Sequence, residues 1–274
     1  MEVRTMRPKQ WFVALVCLSL TLVACSKDDE PSGGTTGDGA SVGATELTVF
    51  AASSLTAAFT QIGSDFEAAN PGTTVTFNFG SSGDLASAIE SEGTADVFAS
   101  ASGTYMDGAR DAVGVEDRTN FVTNKLVIIT PPDNPASITS LEDLARPGVQ
   151  VVLAAEGVPV GDYARESLDA AGIKDDVLAN VVSNEEDNAS VVAKITAGEA
   201  DAAIAYISDV TSAVAPDLAS VEIPDDVNVI ATYPIAVVTT SAHVDVAQAF
   251  VTYVTGSEGL ATLADFGFLP PPAS

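Results

Sequence analysis

From Leu47 onward the chain alternates short β-branched or apolar runs with stretches whose apolar residues recur at helical spacing. Residues 47–52, 74–79 and 96–99 predict strands, and residues 56–69, 84–91 and 105–112 predict the helices that follow them. The rhythm resumes with a strand at 126–130, a helical segment near 141–145, a strand at 149–154 and a helix at 162–171. A strand at 181–183, a helix at 187–197 and a strand at 202–206 come next. A late strand at 235–239 and helices at 244–255 and 258–266 complete the pattern. Strands that alternate with helices in this way predict an α/β fold, with mainly parallel sheets covered by helices. Pro270, Pro271 and Pro272 then end it, because proline continues neither a helix nor a ladder.

Ahead of this rhythm the pattern is different. Arg4, Arg7 and Lys9 precede an apolar run of 14 residues, 11–24, which has the layout of an export signal. A membrane-spanning helix needs about 20 apolar residues, so residues 1–24 read as a signal peptide rather than a permanent span. The run ends Leu22, Val23, Ala24, Cys25, which resembles the lipobox of bacterial lipoproteins. That resemblance makes Cys25 the lipid attachment point and puts the protein on the extracytoplasmic face of the cell membrane. Residues 25–45 are rich in Gly, Ser, Thr and Asp and have almost nothing to bury, as a flexible tether would. Both cysteines, Cys17 and Cys25, lie at or before the cleavage point, so the mature domain would rely on burial without disulfides.

Cleavage there leaves 8 Lys and Arg against 37 Asp and Glu, a formal charge of −29. Nucleic acid is excluded as a partner, since phosphate binding depends on clustered Lys and Arg. An anion ligand is not excluded. Neutral N–H and hydroxyl donors act at short range, whereas distant surface charge is screened beyond about 10 Å.

Four strand-to-helix turns have the composition of anion sites: Ala51 to Leu55, Gly80 to Asp84, Val158 to Gly161, and Glu186 to Ala189. A helix start exposes unpaired N–H groups and the positive end of a dipole, so several converging on one point can hold a dianion. Taken singly, Ser, Asp and Asn at such places read as ordinary N-caps, and Tyr206 reads as a packing tyrosine. The acidic run Glu185, Glu186, Asp187 suggests a cation site only weakly, because acidic residues commonly complement a helix N-terminus.

Read together, the segments VFAASSLTAAF, FGSSGDLASAIE, ADVFASAS, KLVII, VPVGDYA, GEADAAIAYISDV and YPIAVV occur in an order that resembles the molybdate-binding proteins of ABC transporters. The resemblance runs from about Leu47 to Phe268. It implies a two-lobed periplasmic-binding-protein fold, with lobe 1 formed by residues 46–124 and 234–274 and lobe 2 by residues 125–233. Molybdate or tungstate, alike in charge and nearly so in size, would sit in the interlobe cleft. It would be held by the hydroxyls of Ser54, Ser82 and Tyr206 and by the N–H groups of Val160 and Asn188. Asn188 departs from the valine common at its position in that family. Molybdenum would enter only as the bound oxyanion, with no direct protein ligand and no cofactor. The implied partner is an ABC-transporter permease, and the implied protein is a monomer.

Rival readings have less behind them. A serine hydrolase needs a base, and the single histidine, His243, starts a late helical segment; zinc-protease, nucleophile-elbow and P-loop patterns are missing from the sequence. The chain therefore reads as a binding protein rather than an enzyme, the alternative being a binder of another oxyanion such as sulfate. The lipoprotein reading predicts that the exported protein partitions into detergent through Cys25. Cys25→Ser should release it or leave it unprocessed, and unchanged membrane association would refute the anchor.

Overall fold

The computed structural model describes residues 45–210 and 217–271, all within one compact unit. The predicted signal peptide, Cys25 and all but the last residue of the predicted tether lie outside the described residues. That last residue, Thr45, opens the first strand, where its N–H donates to the Gly72 carbonyl at 2.9 Å.

Strand β1 (Thr45–Ala52) is buried on both faces from Val49 on, as its continuous apolar run requires of a strand inside a sheet. It lies between β2 (Thr73–Gly80) and β3 (Val97–Ala99), parallel to both. Edge strand β2 alternates half-buried and exposed residues. Helix α1 (Thr56–Ala69) buries Phe59, Ile62, Gly63 and Phe66, the i, i+3, i+4, i+7 stripe of an amphipathic helix. Helices α2 (Ser82–Glu92) and α3 (Gly103–Ala112) complete this part.

The centre of the sheet is antiparallel. Strand β4 (Val115–Thr130) pairs through residues 115–125 with β9 (Ile230–Val238), which also pairs with β3. Through residues 126–130 it pairs instead with β7 (Ala202–Tyr206) and β8 (Ala219–Glu222). One strand thus belongs to both halves of the sheet. Beyond it β5 (Val151–Ala154) runs parallel to β7 and to β6 (Val181–Glu185), giving the order β2-β1-β3-β9-β4-β7-β5-β6, with β8 off this path. Helices α4 (Pro159–Ala170), α5 (Lys174–Leu178) and α6 (Asn188–Thr196) accompany this half. Helices α7 (Val244–Thr255) and α8 (Ser257–Asp265) return to the first.

Several elements differ from the sequence expectation, each for a physical reason. The first ten residues of β4 are mostly polar, and five in a row are exposed, so no alternation marks them; backbone pairing with β9 makes them a strand. Register shifts interrupt that pairing around Asp117, whose φ is +54°. Helix α4 starts at Pro159 rather than Asp162, because proline's fixed φ suits the first helical position and its missing N–H is no loss there. The short α5 and β8 carry too few residues for a periodicity to register.

Among the described residues no helix is long and apolar enough to cross a membrane. The aromatic centre of the core joins α1, β4 and α7: Phe59 meets Phe121 at 6.1 Å and Phe250 at 6.2 Å between ring centroids, and Phe66 meets Phe250 at 5.2 Å. Phe59 is completely buried, so Phe59→Ala should destabilise the fold by about 3–5 kcal/mol, measurable by urea denaturation. A loss under 1 kcal/mol would show that this cluster does not hold α1 to the sheet.

Candidate functional site

Strands β1, β2, β5 and β7 deliver their C-terminal ends to one place, as open α/β sheets do where ligands bind. Ser54, Ser82, Val160, Asn188 and Tyr206, the five residues singled out by sequence, all line one small cavity there, of about 10 Å³. Ser53, Ser81 and Ala101 complete its polar and small-residue wall. The first turns of α2, α4 and α6 all contribute residues to that wall.

The serines are released from capping by their neighbours. Ser81, not Ser82, caps α2, accepting from the Asp84 N–H at 3.1 Å and donating to Asp84 Oδ2 at 2.8 Å. Asp84 is thereby turned toward the helix start. Ser82 Oγ accepts from the Ala101 N–H at 3.0 Å, which leaves its own proton to donate. Ser54 lies in a single 3₁₀ turn (Ser53–Leu55) and caps nothing; its Oγ is 2.9 Å from the hydroxyl of Tyr233.

Helix α4 begins without a side-chain cap, so the N–H of Val160 in its first turn has no intrahelical acceptor. The turn before it is tightly made. A Cβ on Gly161 would fall 2.4 Å from the Ala155 carbonyl oxygen and 2.5 Å from that of Ala154, so only glycine fits there. The buried Arg165 guanidinium donates to the carbonyls of Ala154 at 2.7 Å and Gly161 at 2.8 Å, and to Asn184 Oδ1 at 2.7 Å, fixing the end of β5 to the first turn of α4.

Helix α6 is capped by Asp187, which accepts from the Ser190 N–H at 2.8 Å, as the ordinary reading of that acidic run requires. Among the described residues no cluster of His, Cys, Asp or Glu is arranged to hold a metal ion. Asn188 places its backbone N–H 3.2 Å from Ser53 Oγ, across from the β1 turn. Its side-chain amide instead donates to both Asp209 oxygens at 3.1 and 3.2 Å. The asparagine that departs from the common valine is therefore tied to a buried carboxylate.

Tyr206 is 1% exposed, and its hydroxyl has no hydrogen-bond partner among the described residues. Burial, then the neighbouring Tyr233, push its pKa well above the usual phenol value, so near neutrality this hydroxyl keeps its proton. It stands at the cavity as a donor, with the Tyr233 hydroxyl close by but not in hydrogen-bond geometry with it.

Ser53, Tyr233 and Asp209 were not singled out by sequence, although each lies inside a quoted segment. Nothing in composition distinguishes a serine that touches Asn188 from the serine beside it. A separate, larger cavity of about 580 Å³ shares Ser53, Ser54 and Asn188 with the first but lies between α1, α6 and Phe268, with mostly apolar walls. It lacks Ser82, Val160 and Tyr206, so the donors converge on the smaller one. His243 is exposed and lines another cavity, with Glu46 and Asp96, and offers the site serines no base.

The chain matches the family model for bacterial extracellular solute-binding proteins over residues 47–269. It is 40% identical over 251 residues to the molybdate-binding protein ModA of Mycobacterium tuberculosis strain H37Rv, covering 91% of this chain and 93% of that one. Its fold resembles the periplasmic molybdate-binding protein of Azotobacter vinelandii, with a TM-score of 0.74 at 20% identity over 82% of this chain and 99% of that one. It also resembles the sulfate-binding protein SubI of M. tuberculosis H37Rv, with a TM-score of 0.73 at 18% identity over 82% of this chain and 87% of that one.

Asp209 gives the site a pH signature. Burial pushes its carboxyl up to about 7, against the lowering effect of the Tyr206 N–H and the Asn188 amide. Its folded pKa is thus above the unfolded value of about 3.9, so ionisation opposes folding from about pH 4 up to about pH 7. Raising the pH from 5 to 8 should cost the protein roughly 2–3 kcal/mol through this group. Asp209→Asn should remove that part of the pH dependence in denaturant titrations at the two pH values. An unchanged slope would show that Asp209 does not titrate there.

Proposed function

Because this chain belongs to the family of bacterial extracellular solute-binding proteins, we propose that it captures molybdate, and also tungstate, and hands it to the permease of an ABC importer. In this reading it is a lipoprotein, held at the extracytoplasmic membrane surface through Cys25. Residues 46–124 with 234–274 act as one lobe and residues 125–233 as the other. The oxyanion sits between them on the hydroxyls of Ser54, Ser82 and Tyr206 and the N–H groups of Val160 and Asn188, the latter exchanging Ser53 Oγ for the anion.

The observation that carries this reading is the buried hydroxyl of Tyr206, without a hydrogen-bond partner among the described residues, at a cavity that also collects four serines and three helix starts. A buried donor left unmade costs about 1–3 kcal/mol, and an arriving oxyanion recovers it. The 40% identity to a molybdate-binding protein over nearly the whole chain supports the choice of anion. The likeness to a sulfate-binding protein, at 18% identity, concerns the fold alone. Sulfate is smaller, and so reaches donors on both sides of the cavity less well.

Calorimetry and thermal scans with a panel of oxyanions test the proposal. Molybdate and tungstate should raise the melting temperature strongly and sulfate weakly; ligand at 100 times its Kd stabilises by about 2.7 kcal/mol. Ser54→Ala and Ser82→Ala should each weaken molybdate binding roughly ten- to hundred-fold, or about 1.5–3 kcal/mol, without unfolding the protein. Tyr206→Phe should act in the same direction. Parent-like binding in all three variants would place the site elsewhere, and a sulfate response equal to that of molybdate would refute the assignment of the anion.

A further inference from the structure

The turn that carries Val160 is tied to the opposite side of the cleft by side chains that are not themselves among the five proposed anion contacts. The Tyr105 hydroxyl, on α3, donates to the Gly157 carbonyl at 2.5 Å and lies 3.4 Å from Asp162 Oδ2. Gly157, at φ +85°, is held from its other side, where its N–H donates to Asp162 Oδ1 at 2.9 Å. The Tyr163 hydroxyl crosses the same gap in the reverse direction, donating to the Ala101 carbonyl at 3.2 Å. Ala101 is the residue whose N–H orients Ser82 Oγ. Clearance is minimal: a Cβ on Gly83 would stand 2.9 Å from the Gly157 oxygen and 3.3 Å from the Tyr105 ring.

These contacts join the two halves of the sheet. Gly83, Ala101 and Tyr105 follow β2 and β3, whereas Gly157, Asp162 and Tyr163 follow β5. We propose that Tyr105 is a positioning residue of the oxyanion site, a latch that holds the turn before α4 against the start of α2 and sets how long the cleft stays closed. Tyr163 is its second, weaker contact.

The chemistry suits a reversible latch. Both tyrosines are only partly buried, and a neutral hydroxyl-to-carbonyl bond shifts an equilibrium by roughly ten-fold, enough to bias closure without locking it. Burial, and then the Asp162 carboxylate, raise the pKa of Tyr105, so its hydroxyl remains a donor. The latch acts on the site through the backbone. Gly157 leads directly into Val158, Pro159 and Val160, so holding its carbonyl fixes where the Val160 N–H points.

The ligand half of the test rests on the proposed function, but the latch itself consists of protein groups alone and has a ligand-free readout. The Asn188 N–H bonds Ser53 Oγ across the same cleft, on elements that Tyr105 does not touch. In the full chain in detergent without ligand, Tyr105→Phe and Gly83→Val should each speed hydrogen exchange at the Asn188 amide about ten-fold. Acceleration confined to the amides around Gly157 would mean a merely local bond and would overturn the proposal. With molybdate, Tyr105→Phe should speed release about ten-fold in stopped flow and leave the capture rate within about two-fold; an unchanged release rate would also overturn it. Faster exchange at Asn188 in a protein whose parent binds no molybdate would sustain the latch and refute the oxyanion reading.

Discussion

Buried hydrogen-bond donors without partners are rare because each costs stability, and here one of them, the Tyr206 hydroxyl, stands at a cavity where three helix starts meet. Parallel strands make this possible. Each strand end leads into a helix start, whose first N–H groups have no acceptor within the helix. Bringing the ends of β1, β2, β5 and β7 together therefore gathers, around one cavity, donors that have no acceptor within their own helices. Neighbouring side chains keep them available. Ser81 takes over the capping of α2, Asp187 that of α6, and Pro159 opens α4 without a cap, so the serine, asparagine and valine beside them are not spent as side-chain caps.

The same constraint explains why a strongly acidic chain is compatible with an anion site. The formal charge of the whole chain is −27, yet no carboxylate is among the five proposed contacts. Asp84 is turned to Ser81, and Asp162 is turned to Gly157 and Tyr105. Surface charge farther than about 10 Å away is screened, so the local dipoles of donors decide the field inside the cavity. The buried Arg165 adds a cation behind the α4 turn, with its exposed partner Glu156 only at 3.8 Å.

Much of this was legible in the sequence because the site is local in the chain. Four of the five residues lie between an apolar run and a helical one, Tyr206 ends a strand, and the strands and helices on either side fell close to their predicted bounds; α1, β7 and α7 match residue for residue. What was not legible depends on pairing at a distance. The polar half of β4 is a strand only because β9 lies against it, and Tyr233 reaches Ser54 from 179 residues away. Asp209 looked like one more acidic residue in an acidic chain. Its importance comes from being buried under Asn188 and Tyr206, which no local pattern encodes.

Asn188 shows how a departure from a family pattern can be absorbed. A valine at that position offers only its backbone, and the asparagine leaves that backbone offer intact. Asp209 takes the nitrogen of the added amide and fixes its orientation, while Asn188 Oδ1 is buried without a hydrogen-bond partner among the described residues. Asp209 in turn accepts from the Tyr206 N–H at 2.9 Å, so the asparagine and the tyrosine whose hydroxyl stands free are fastened to one carboxylate. The substitution thus couples two of the proposed contacts that a valine would leave independent. Charge on that carboxylate stabilises the arrangement of the donors while opposing a nearby dianion. Its raised pKa means that near neutral pH the carboxyl is only partly ionised, so each effect operates in a fraction of the molecules.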